Sequence, residues 1–197
     1  EESSRTGMVL SKGTAGGVFS LGLLYNNTGT GLEAFDAAGR SSGAGIAAYD
    51  AALGAGWARS FGMTDLAVNA KYIRSRLAEV SGNSAALDAG VVFKAARGSS
   101  TDVALAVRNF GPPMKLGAQR APLPFEAAGG LRWNYSPLFS FLFEGRLPVD
   151  HAAFLIFSGE WFIPLTPDSA VRRSGFFIRS GVNFKNYDDH GFMGSFA

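Results

Sequence analysis

Two histidines occur in this sequence, His151 and His190, and each stands beside aspartate: Asp150 precedes the first, Asp188 and Asp189 the second. Imidazole and carboxylate so close together are a donor set for a divalent metal. Both clusters fall where composition predicts turns, and Asp and His are common there for backbone reasons, so the surrounding pattern gives a metal site no support. No serine stands in a nucleophile elbow, no Walker-type phosphate loop is present, and Gly43-Ala44-Gly45 lacks the strand-turn-helix setting of a dinucleotide site. A lipid-hydrolysing barrel would need a histidine beside a serine on one strand face, and neither histidine provides it. No catalytic residue, metal site or cofactor is expected, and the chain is read as non-enzymatic.

The sharper constellation is ionic. Asp50, Asn69, Lys71, Asp88, Lys94, Arg108, Arg132, Glu144, Arg146, Glu160 and Arg179 recur in segments where large apolar residues alternate with small or charged ones. Successive side chains of a strand point to opposite faces, so these polar groups share the small-residue face and the apolar groups share the other. The clearest run sets Phe139, Phe141, Phe143, Gly145 and Leu147 against Ser140, Glu144 and Arg146. Ionic groups facing lipid near the midplane of a bilayer would cost about 2 to 4 kcal/mol each, so a membrane barrel must turn them to its lumen. There they serve either as a polar solute path or as a salt-bridged interior with no specific ligand.

The elements that must carry this set are strands. With 26 Gly and 17 Phe among 197 residues and 17% charged residues, against a usual value near 25%, the chain suits ribbons that show aromatics to lipid and pack tightly elsewhere. Net charge of +2, with basic residues spread along the chain, names no nucleic-acid partner. The absence of cysteine excludes disulfides and thiol chemistry. No stretch approaches the apolar run a spanning helix needs, a test to which a barrel is blind.

Along the chain, alternation predicts strands over 15–27, 45–58, 66–76, 87–94, 103–108, 127–133, 139–147, 152–162, 176–184 and from Gly191. From Ala152 to Phe162 the pattern blurs, as if both faces were covered. Thr28 to Gly43 and Gly111 to Pro124 read as the two longest loops; the second holds four of the eight prolines and cannot join a ladder. Turns are expected at Arg59–Gly62, Ser81–Asn83, Arg97–Thr101, Ser136–Pro137, Pro148–Asp150 and Pro164–Arg173. About ten or eleven strands with hairpin-length links and no crossover helix predict an all-β antiparallel up-and-down meander. Tyr25, Tyr49, Trp57, Tyr72, Trp133, Tyr135, Trp161 and Phe162, near strand ends, suit an interfacial girdle.

Several segments resemble the PorV/PorQ-type outer-membrane proteins, relatives of the FadL-like long-chain fatty-acid transporters. They are YDAALGAGWARSFG from Tyr49, LAVNAKYIRSRLAEVSGNSAALDAGVVFKA from Leu66, VALAVRNFGPPMKL from Val103, the Pro-Leu-Pro at 122–124, FSGEWF from Phe157 and RSGVNF from Arg179. The resemblance implies a transmembrane β-barrel of fourteen strands with an N-terminal hatch in its lumen, of which this chain would be a single-domain fragment lacking the hatch and the first and last strands. FadL-like proteins pass hydrophobic molecules through a lateral opening; PorV-like ones hold cargo proteins at the outer membrane in type IX secretion.

The expected protein is therefore an outer-membrane barrel of a Gram-negative-type bacterium. Its partners would be outer-membrane lipid and a hydrophobic small molecule or a secreted or surface protein, with no nucleic acid. Two alternatives stand beside it: an outer-membrane anchor that binds a partner through its two long loops, and a soluble β-sandwich.

Overall fold

The computed structural model describes residues 3–35, 38–94, 100–164, 175–186 and 192–193. Within these the chain is all-β, and the strands are β1 (Ser4–Thr14), β2 (Gly17–Phe35), β3 (Ser41–Phe61), β4 (Thr64–Leu77), β5 (Val80–Phe93) and β6 (Thr101–Phe110). After β6 come two short strands, β7 (Met114–Leu116) and β8 (Gln119–Ala121), then β9 (Glu126–Ser136), β10 (Phe139–Pro148), β11 (Phe154–Pro164), β12 (Gly175–Asn186) and β13 (Phe192–Met193). The large sheet runs β1-β2-β3-β4-β5-β6-β9-β10-β11-β12-β13, so every neighbour is the next strand in sequence except at β6–β9, where β7 and β8 form a ribbon of their own. The predicted antiparallel up-and-down architecture is what forms.

Tight turns make this order possible. β3 and β4 are joined by Gly62-Met63, β4 and β5 by Ala78-Glu79, and the first residue of each pair has positive φ, 61° at Gly62 and 56° at Ala78. A two-residue hairpin needs that left-handed step to match the twist of the strands, and glycine takes it without a steric penalty. At the β1–β2 turn the Thr14 hydroxyl donates to the Gly17 carbonyl at 2.9 Å and accepts the Gly16 amide at 3.2 Å. Ser136 Oγ likewise accepts the amides of Leu138 and Phe139 before β10.

Several boundaries differ from the sequence reading. Most of the expected loop from Thr28 to Gly43 is strand, because β2 extends to Phe35 and β3 starts at Ser41. The β2–β3 register shifts three times beyond Asn27, and a glycine-rich strand that slips in this way has no period-two signal to read. β1 carries no large alternating run and was not anticipated. The expected turn at Ser81–Asn83 lies inside β5; the chain reverses at Ala78-Glu79 instead. β11 does not have two covered faces: Phe154, Glu160 and Phe162 are buried, whereas Leu155, Phe157 and Trp161, of the other parity, are exposed. The expected turn at Arg97–Thr101 and loop at Pro164–Arg173 fall largely outside the described residues.

The chain divides into two compact units, one of residues 1–59, 67–89 and 108–123 and one of residues 60–66, 90–107 and 124–197. In the first, cross-strand pairs Leu10↔Leu21, Met8↔Leu23, Leu23↔Leu53 and Phe19↔Trp57 build one apolar face. In the second, Trp133↔Phe141, Leu131↔Phe143 and Phe143↔Phe157 do the same. Rings on this face pack along it, Trp133 and Phe141 stacked with centroids 5.6 Å apart and Phe143 and Phe157 tilted at 4.9 Å. Among the described residues nothing covers either face: Leu21, Leu23, Leu53, Leu131, Trp133 and Phe143 are all exposed. The buried apolar side chains among the described residues are Ala48, Ala86, Met114, Phe154 and Phe162, and no large side chain is fully buried. A sandwich core, which forms where two inner apolar faces interdigitate, is therefore not what these faces make.

Candidate functional site on the polar face

Six of the sequence-predicted polar residues assemble into two networks, one in each unit. In the first, β4 supplies Asn69 and Lys71, β5 supplies Asp88, and the end of β6 supplies Asn109. Lys71 Nζ lies 2.7 Å from Asp88 Oδ1 and donates to Asn109 Oδ1, while Asn69 Nδ2 donates to Asp88 Oδ2 at 3.1 Å. The Asn109 amide completes the set by donating to Asp88 Oδ1 at 2.8 Å.

Asn109 was the residue missed as a partner. By parity it belongs with Val107 on the apolar face, but its φ of 57° breaks the alternation and its carboxamide meets Lys71. Asparagine is among the few side chains that accept the left-handed region at modest cost, so an Asn directly before Phe-Gly-Pro-Pro was the available signal. Room beside Asn69 comes from the neighbouring strand: a Cβ at Gly54 would sit 3.2 Å from Asn69 Oδ1, and one at Gly56 would strike Ser20 Oγ at 2.6 Å. Gly54 helps line a depression of about 350 Å³, with Asn69, Lys71, Val9, Leu24, Gly22 and Ala52.

In the second unit the registers Asn134↔Ser140, Ser140↔Glu160 and Glu160↔Arg179 set four polar residues in one row across β9, β10, β11 and β12. Glu160 is only 4% exposed, and guanidinium groups satisfy both its oxygens: Arg132 Nη2 at 2.5 Å on Oε1, and Arg179 Nε on Oε2. Arg132 also donates to Asn134 Oδ1 at 3.1 Å and to Ser140 Oγ at 3.3 Å. A carboxylate taken out of water needs such charge-assisted bonds on each oxygen, and the row supplies them. Two cations on one anion leave the cluster with a net positive charge. It lines a cavity of about 290 Å³ with Phe162 and Phe177, whose rings lie 4.9 Å apart. Phe162 is thus buried beside the ionic row and is no part of an aromatic girdle.

Of the remaining predicted residues, Glu144, Arg146 and Lys94 pair locally. Arg146 Nε donates to Glu144 at 2.7 Å and reaches Glu126 at 3.9 Å. Lys94 bonds Asp65 at 2.7 Å at the β3–β4 hairpin. The Lys94 ammonium and the Ser60 hydroxyl hold the Asp65 carboxyl below its ordinary range. Asp50 lies opposite Asn26 in the β2–β3 register, and Arg108 shares the parity of Ala104 and Ala106. Charges are not confined to this face: Lys12 stands opposite Phe19 on the apolar parity, and Arg74 and Arg76 follow Tyr72 on the apolar parity of β4. All three are near hairpin ends, where long cationic side chains can reach water.

His151 Nδ1 lies 3.3 Å from Asp150, and no cluster of three or more metal-type donors occurs among the described residues. His190, Asp188 and Asp189 are outside them. No described family profile matches this chain, and no curated protein matches it significantly.

Proposed function

We propose that this chain forms the wall of an outer-membrane β-barrel, non-enzymatic, that acts in transport across that membrane. One observation carries the reading: short turns and alternation leave a face of Leu, Phe, Trp and Val exposed in each unit, while Lys71–Asp88, Arg132–Glu160–Arg179 and Glu144–Arg146 pair on the opposite face. An exposed apolar surface of this extent has no place in water but matches a lipid-facing band, and paired charges suit a polar interior. The bilayer also demands closure, because an unpaired strand edge in hydrocarbon leaves amides and carbonyls unbonded.

The resemblance described above makes the cargo hydrophobic, or makes the barrel a PorV-like component of secretion. Anchoring through two long loops is less well served by the fold. Thr28 to Phe35 is strand, and residues 111 to 117 lie against β5.

The test is behaviour in detergent and lipid. The folded protein should require detergent and migrate faster on a gel before heating than after it. A protein that stays dissolved without detergent and shows no heat-dependent shift would not be a membrane barrel. Transport is then read as uptake of a fluorescent apolar probe into lipopolysaccharide-containing vesicles, faster with the protein than without it.

A further inference from the structure

The segment after β6 folds back along β5 instead of leaving the sheet. A Cβ at Gly111 would collide with the Ala85 carbonyl, Ser84 Oγ donates to the Pro112 carbonyl at 2.7 Å, and a Cβ at Gly82 would collide with the Lys115 carbonyl and lie 2.9 Å from Met114. Farther on, a Cβ at Gly117 would lie 3.3 Å from Val80. Residues 111 to 117 therefore track β5 from Ala86 back to Val80. The side chains they cover, Ser84 and Ala86, have the parity of Asp88, so the ribbon lies on the polar face; Met114 is buried beneath it.

The ribbon itself pairs Met114↔Ala121, Lys115↔Arg120 and Leu116↔Gln119. Alternation turns Met114 and Leu116 toward β5 and leaves Lys115 and Arg120 side by side on the outer surface, both exposed. Directly opposed cross-strand residues have Cβ atoms about 5 Å apart, where like charges destabilise the pair. Among the described residues neither cation has an acidic partner. Two strands of three residues are too few to hold such a pair by themselves; the seat on Gly82, Ser84 and Ala86 holds it. This fold thus spends stability to present two adjacent cations on the polar side of the sheet, an arrangement that in a pore selects anions.

Building on the barrel reading above, we propose that the β7–β8 ribbon is an in-folded selectivity element whose Lys115 and Arg120 form a binding site for small oxyanions of the phosphate and carboxylate class. It narrows the lumen beside the Lys71–Asp88 network. The site follows from the placement of the ribbon and is independent of the hydrophobic cargo implied by the resemblance.

Planar-bilayer recording of the full chain in a potassium chloride gradient, with inorganic phosphate as added probe, tests it. The unaltered protein should favour chloride over potassium several-fold, and millimolar phosphate should lower the chloride current. In the Lys115→Gln, Arg120→Gln double variant the preference should fall toward unity and the phosphate effect should vanish, whereas Lys12→Gln should change neither. Replacing Met114–Ala121 by a short Gly-Ser link should raise conductance. If channels form but ion preference and phosphate block are the same in the double variant, the selectivity site is wrong and the barrel stands. If the protein gives no heat-dependent shift and enters no bilayer, the barrel reading falls and takes the site with it.

Discussion

The Asn109 amide donates to Oδ1 of Asp88 at 2.8 Å, and that same oxygen lies 2.7 Å from Lys71 Nζ. A backbone step of left-handed φ at the end of β6 is thereby tied to an ion pair between β4 and β5. At this point the chain turns off the β6 ladder and folds back onto β5 as the ribbon, so the ionic network and the in-folded segment share one anchor.

Asn109 has both a backbone and a side-chain role, and two substitutions separate them. Asn109→Gly keeps the φ of 57° accessible and loses the side-chain bond to Lys71, for a cost of about 1 kcal/mol. Asn109→Ala adds the left-handed penalty of about 1 to 2 kcal/mol for a residue with a Cβ. Urea unfolding in detergent micelles should rank the wild type above Gly and Gly above Ala; equal losses would mean that the backbone conformation is not under strain.

Asp88→Asn should destabilise more than the removal of both charges together. The single change leaves the Lys71 ammonium without its counter-ion in a site where its side chain is 20% exposed, at a cost of about 1 to 3 kcal/mol. A Lys71→Met, Asp88→Leu double variant should recover part of that loss. The midpoint of urea unfolding measures both.

The two faces should respond unequally to one charge. Leu53→Arg places a guanidinium on the exposed apolar face of β3 and should cost about 2 to 4 kcal/mol in vesicles if it lies near the midplane. Ala52→Arg, one residue away on the polar parity, should cost much less. Equal effects on folding into vesicles would contradict the assignment of faces.

Gly82→Val should lift the ribbon, because its Cβ would meet the Lys115 carbonyl and Met114. Trypsin cuts after Lys115 and Arg120, so cleavage in the folded protein should accelerate well beyond the wild-type rate. Unchanged cleavage would mean that the ribbon is not held by this contact.

Asp65 gives a prediction in pH. β4 is 14 residues long, more than the roughly 9 to 11 that cross a bilayer, so in the proposed barrel Asp65, at its hairpin end, would stand outside the span. Its carboxyl should titrate below the ordinary 3.8 and move back toward it in Lys94→Gln. A depressed carboxylate pKa adds stability above the unfolded value that is lost as pH falls through the folded one, so any effect is confined to pH below about 4. Side-chain carbonyl shifts followed by NMR would show it, and an Asp65 titration insensitive to Lys94→Gln would contradict the pairing.

Alternation alone determined that the chain is a series of two-faced strands, that Lys71, Asp88, Arg132 and Arg179 belong to the face opposite the long apolar runs, and that short turns join neighbours. Period two is a property of extended backbone and is written locally, within a few residues. Tertiary structure decided which charges meet. Arg132 and Arg179 both reach Glu160 only because three registers align β9 to β12, and register depends on residues far apart in sequence. It also decided the fate of the proline-rich segment. Prolines at 112, 113, 122 and 124 rightly kept it out of the main ladder, but its seat on Gly82, Ser84 and Ala86 is a contact across about thirty residues, and small side chains do not announce what will rest on them. Asn109 lies between these two cases: its type permits the left-handed step, and the Asp88 carboxylate holds it there.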